Sequence, residues 1–113
     1  MAEFDPARFE DKYANYFPEL QRAYRSAFER MNDAHDSDLV HAVDQQVLNE
    51  SEPFFEDGAF RVELPENAVD RVTAVAVDDD RLRSFLDEYA ATIEAELHDT
   101  FGVERPEDGR TEG

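Results

Sequence analysis

A chain of 113 residues is one domain by length, large enough to bury a modest core without staples. It has no cysteine, which excludes disulfides, thiolate catalysis and Cys-based zinc or iron–sulfur sites. Its 29 Asp plus Glu against 11 Lys plus Arg give a net charge of −18, spread over nearly every segment, so no basic face for nucleic acid is expected.

Only one of the eleven bases is a lysine, Lys12. A dispersed acidic coat with arginine in place of lysine fits a salt-rich cytoplasm. At about 1 M salt the Debye length is roughly 3 Å, so like charges scarcely repel. In dilute buffer the same charges oppose the compact state. Hydrophobic residues make up 41% of the chain, with 9 Phe and 4 Tyr, enough for a packed core. The stretch MAEFDPARFED is acidic and lacks an apolar core region, so it does not read as a signal peptide. No apolar run approaches the roughly 20 residues of a membrane span.

In chain order, Asp5-Pro6 is a helix start, because Asp caps and Pro is tolerated at the first helical position. Phe4 and Phe9 are spaced as a hydrophobic staple. Phe9, Tyr13 and Phe17 then recur at i, i+4, i+8 and predict an inward stripe. Pro18 ends this helix or starts the next. That second helix places Leu20, Tyr24, Ala27, Phe28 and Met31 on one stripe, with Arg25 and Glu29 spaced to pair. Asp36 or Ser37 opens a third helix that turns Leu39, Val40, Val43 and Val47 inward. His41, Asp44, Gln45 and Leu48 lie off that stripe.

After Asn49 the period changes. PFFEDGAFRVELP reads as a hairpin about Asp57-Gly58, pairing Glu56 with Ala59, Phe55 with Phe60 and Phe54 with Arg61. VTAVAV, residues 72–77, is expected as a third strand, with a helical turn as its rival. Asp78-Asp79-Asp80 opens a long last helix with Leu82, Phe85, Leu86, Tyr89, Ile93 and Leu97 inward. Gly102 is its natural stop. The predicted fold is α+β: a helical N-terminal half, a small antiparallel sheet with a hairpin, and a long C-terminal helix packed on it. Residues 1–103 are expected to form the domain and 104–113 an acidic disordered tail.

The motifs give chemistry little support. Asp38-x-x-His41 sits on one helical turn, but a di-iron site needs two such pairs plus further glutamates. Glu94 and His98, at i, i+4, are placed on the outer face of the last helix. The Asp78–Asp80 run lacks the alternation and glycine of a calcium loop and reads as a helix start. Ser51 has no nucleophile-elbow context, and the four glycines form no phosphate loop. No metal, cofactor or catalytic residue is assigned. Arg22, Arg25 and Arg30 with Tyr24 are flanked by acids, against a nucleic-acid surface.

The remaining candidate is a weakly charged face with amides and aromatics, which suits an interface. It comprises His41 and Gln45 on the third helix and Phe54 and Arg61 on the hairpin's second face, where Arg61 could stack on the ring. The leading reading is a non-enzymatic interaction or regulatory module, cytoplasmic, with a protein partner or a homo-oligomer. The alternative is a small enzyme or ligand-binding protein with a polar site around His41 and Gln45.

Four stretches, FDPARFEDKY, HAVDQQVLNESEPFF, FRVELP and VDDDRLRSFLDEY, resemble a family of small acidic proteins of unknown function from halophilic archaea. The resemblance covers nearly the whole chain apart from the tail. It implies a salt-rich cytoplasm and brings no activity, cofactor or site residue.

Overall fold

The computed structural model describes residues 4–73 and 76–103. After a 3₁₀ turn, Arg8–Asp11, come α1 (Lys12–Asn15), α2 (Phe17–Ala34) and α3 (Ser37–Gln46). A second 3₁₀ turn, Leu48–Glu50, leads to β1 (Glu52–Glu56) and β2 (Ala59–Glu63). A short α4 (Ala68–Arg71) precedes the long α5 (Asp79–Phe101). The fold is α+β, as the periodicities predict.

The core lies between α2 and α5, which run antiparallel. Arg30 pairs with Glu96 at 2.6 Å and His35 with Glu88 at 3.0 Å, one partner rising in number as the other falls. Leu20, Ala23, Ala27 and Met31 of α2 are buried against the predicted face of α5. Tyr24 and Phe28 flank that stripe, half-buried, and the predicted Arg25–Glu29 pair is not formed. In α3 the Asp36 carboxylate accepts from the Leu39 N–H, and Leu39, Val40 and Val43 are buried as expected. Leu48 is buried too, because α3 ends at Gln46 and the 3₁₀ turn redirects the chain.

The hairpin has the predicted register throughout. Asp57 and Gly58 both have positive φ, 53° and 81°, as the tight two-residue turn requires. A two-stranded hairpin alone is marginal in water, and α5 completes this one. With a two-residue loop the ladder bonds fall at alternate pairs, so the Phe60 and Val62 N–H groups point away from β1. Phe60 N–H donates to His98 Nε2 at 3.1 Å, and Val62 N–H donates to a Glu94 carboxylate oxygen at 2.9 Å. The helix thus stands in for a third strand.

Two expectations fail at the ends. The stripe Phe9–Tyr13–Phe17 is not inward: Tyr13 and Phe17 are exposed, and Lys12 and Tyr16 are buried. The 3₁₀ turn and the non-helical Tyr16, φ −131° and ψ 19°, reset the phase before Pro18 starts α2. No third strand occurs at residues 72, 73, 76 or 77; residues 74–75 lie outside the described residues. There the Thr73 N–H donates to Gln46 Oε1 at 2.9 Å, and Gln46 Nε2 donates to Thr73 Oγ1 at 3.0 Å. A side-chain amide satisfies this segment in place of a neighbouring strand. The tail from residue 104 also lies outside the described residues.

His98 is a further correction. It is 5% exposed and faces inward, because the end of α5 is covered by β2 on a flank that is free earlier in the helix. Its Nε2 accepts from Phe60, so the ring proton sits on Nδ1 and donates to the Val103 carbonyl at 3.0 Å. Gly102, at φ 69°, closes α5 in the left-handed conformation, and Val103 N–H returns to the His98 carbonyl.

Candidate functional site

The four residues singled out from the sequence form two separate pairs. His41 and Gln45 are exposed one turn apart on α3. The His41 ring meets Phe28 edge-on at 5.0 Å, and the Gln45 carbonyl accepts from Asn49 Nδ2 at 3.0 Å. Phe54 and Arg61 are cross-strand partners on the hairpin. Among the described residues no hydrogen bond, ion pair or ring contact links one pair to the other. Arg61 does not stack on Phe54; its guanidinium donates to Glu56 at 3.1 Å.

Phe54 turns instead toward Lys12. The ammonium lies 5.0 Å from the Phe54 ring centre, 5.2 Å from Tyr13 and 5.3 Å from Phe9. It donates to a Glu52 carboxylate oxygen at 3.0 Å. The chain's single lysine therefore lies inside a cage of three rings and one carboxylate. The arrangement is structural: it ties the N-terminal segment to β1 through a cation that the rings' negative faces attract. Pro6, Ala7, Glu10 and Phe55 complete an open hollow of about 480 Å³ over this cage.

A second hollow, of about 240 Å³, lies on the other side of Tyr13. One wall is Tyr13, Phe17, Leu20, Gln21 and Tyr24; the other is Leu48, Asn49, Ser51 and Pro53. No lining residue is charged. Among the described residues, Tyr13 and Phe17 are also the large hydrophobic side chains left strongly exposed, at 54% and 47%. Sequence reasoning placed both in the core, because a straight helix would have carried them inward.

The polar groups of this hollow are committed to the fold. Ser51 Oγ donates to the Leu48 carbonyl at 2.7 Å, so at the 3.3 Å contact between the two hydroxyls Tyr24 is the donor. Burial pushes the Tyr24 phenol up to about 12; the Ser51 bond opposes the rise and the Tyr13 and Glu52 charges add to it. Burial, and then the Glu52 carboxylate, also raises Tyr13. Both phenols stay protonated at neutral pH, and Ser51 has neither a base nor a free proton. Ser51 thus lacks the adjacent base that activates a nucleophilic hydroxyl.

Asp44, half-buried on α3, is raised by burial and lowered less by His41. Its charge adds to the burial that raises Tyr89, whose hydroxyl finds no hydrogen-bond partner among the described residues. Among the described residues no group of three or more His, Asp and Glu is placed to hold a metal ion. No described helix is long and apolar enough to cross a membrane.

No curated protein and no solved structure matches the chain. Residues 1–104 match the model of a family of unknown function, DUF5783, and the chain belongs to that family.

Proposed function

We propose that this chain is a non-enzymatic protein-interaction module of a salt-rich cytoplasm, and that its contact surface is the uncharged hollow between α2 and the turn into β1. One observation carries the reading. The two most exposed large hydrophobic side chains among the described residues, Tyr13 and Phe17, border a hollow with no charged lining residue, in a chain that is 35% charged. Charge depletion with aromatic enrichment characterises the centre of an interface. His41 and Gln45 extend the weakly charged area along α3, and Phe54 supports it from below through Lys12.

The alternative polar site around His41 and Gln45 has less support. Both side chains are exposed on one helix face, His41 rests on a phenylalanine, and neither lines either hollow described above.

Immobilised wild type and the double variant Tyr13→Ser/Phe17→Ser, each shown folded by circular dichroism, would be exposed to a native high-salt lysate. A protein retained by wild type and lost by the variant is the expected result. Identical retention by both would overturn this assignment of the surface.

A further inference from the structure

We propose that the occupant of this hollow is a second copy of the same chain, docked across a two-fold axis that runs along the hollow between its two walls. The inference rests on reading this face as a contact surface, and adds which partner it takes.

The patch carries both halves of a self-complementary contact. Tyr13 and Phe17 stand out from the surface beside a concavity of about 240 Å³. That is roomier than an apolar cavity that takes up benzene, about 150 Å³. In a two-fold contact the same patch meets itself. A ring from each copy can therefore enter the hollow of the other.

The rim supplies the second argument. On the α2 side, Arg25 follows Gln21 by one turn, and Arg22 lies one turn before Arg25. Both arginines are exposed, and neither makes an ion pair among the described residues. Both are therefore available to a carboxylate brought by a partner. Behind the opposite wall, the exposed Glu50 lies in the chain between the lining residues Asn49 and Ser51, and its contact with Arg71 is long, 4.0 Å. A two-fold axis lying in the contact plane, parallel to the walls, places each copy's Arg25 wall over the other's Glu50 wall. A basic partner would instead bring its cations onto these unpaired arginines.

Each copy brings a charge of −18, so distant repulsion opposes the pairing in dilute buffer. Salt removes distant repulsion first and screens partly buried contact pairs less. Association should therefore strengthen as salt rises, the reverse of binding to a basic segment.

The purified full chain would be followed by sedimentation velocity and light scattering in rising potassium chloride, above the concentration at which circular dichroism shows it folded. Wild type should shift from monomer to dimer. Arg25→Glu and Glu50→Arg should each weaken the dimer about tenfold by setting like charges opposite one another, and the double variant should recover most of the loss. Tyr13→Ser/Phe17→Ser should be monomeric. A wild type monomeric at every salt concentration overturns the second-copy inference; loss of lysate capture in the Tyr13/Phe17 variant would then still uphold the interaction reading. A dimer indifferent to all these variants, or a charge-reversed double variant no better than the single ones, also overturns it.

Discussion

Removing either member of the Lys12–Glu52 pair should have unequal consequences, and the inequality follows from burial. The Lys12 side chain is 7% exposed and Glu52 47%. Lys12→Met keeps the apolar stem and fills similar space. It forfeits ring contacts worth about 2 kcal/mol together and regains part of that by removing a desolvated charge, for a net loss of about 1 kcal/mol. Its former partner, half in solvent, simply rehydrates. Glu52→Ala leaves the ammonium enclosed by three rings without a counter-charge. Breaking a buried pair from one side costs about 3–5 kcal/mol, and the low end applies because the adjoining hollow admits water. At about 4 °C per kcal/mol for a domain of this size, the expected falls in melting temperature are about 4 °C and about 12 °C. Thermal melts by circular dichroism at one fixed salt concentration measure both. The double variant Lys12→Met/Glu52→Ala should resemble Lys12→Met alone. If Lys12→Met melts lower than Glu52→Ala, burial does not set the order of the two costs and the argument is refuted.

Three further outcomes follow from the same structure. Burial raises Tyr24 to about 12 and raises Tyr89 as well, whereas an unfolded tyrosine titrates near 10; the folded state holds these protons more tightly, so their contribution is full below about pH 10 and is lost as pH rises above it. Tyr89→Phe deletes a hydroxyl without a partner, so it should stabilise by up to about 1 kcal/mol at pH 8 and soften the alkaline fall; a lower melting temperature would reveal a bond to that hydroxyl. Truncation after Val103 should leave the melting temperature unchanged, whereas truncation after Phe101 removes the Gly102 stop and the His98 acceptor and should cost about 1–2 kcal/mol; equal melts for the two would deny that cap a role. The net charge of −18 should make stability climb with potassium chloride toward multimolar levels, and equal melts in dilute and concentrated salt would count against the salt-rich reading.

The elements legible from the sequence are those whose signal is local. Asp57-Gly58 dictates a two-residue turn, and the turn dictates every pair in the hairpin. The long helix announces itself because its six inward positions keep one period without interruption. The N-terminal phase is hidden in the sequence for an identifiable reason. The buried series is Phe9, Lys12, Tyr16, Leu20, Ala23, Ala27 and Met31, spaced by three and four throughout. A charged residue at its second position disguised it, and the aromatic series Phe9–Tyr13–Phe17 looked better. The signal that could have corrected this was the solitary lysine: in a chain that otherwise uses arginine, a compact ammonium fits a cage that a planar guanidinium does not. His98 was misplaced because inward and outward faces of α5 change where β2 packs, a tertiary fact that no helical period carries. The uncharged hollow joins residues 13–24 to residues 48–53 and has no contiguous sequence trace.

The engagement of β2 by Glu94 and His98 has a consequence for biosynthesis. The hairpin is complete in the chain at Glu63, but the side chains that occupy its outward amides are made 31 and 35 residues later. At about 5–20 residues per second, roughly 2–7 s pass before His98 is even polymerised. Until the end of α5 packs onto it, the emerged β2 edge is an open template for another chain. The opposite edge is guarded from the start: Pro53 has no N–H to offer, and Glu52 and Glu56 repel a second acidic strand. Only one side of the newborn hairpin needs protection, and the last turns of α5 supply it on arrival.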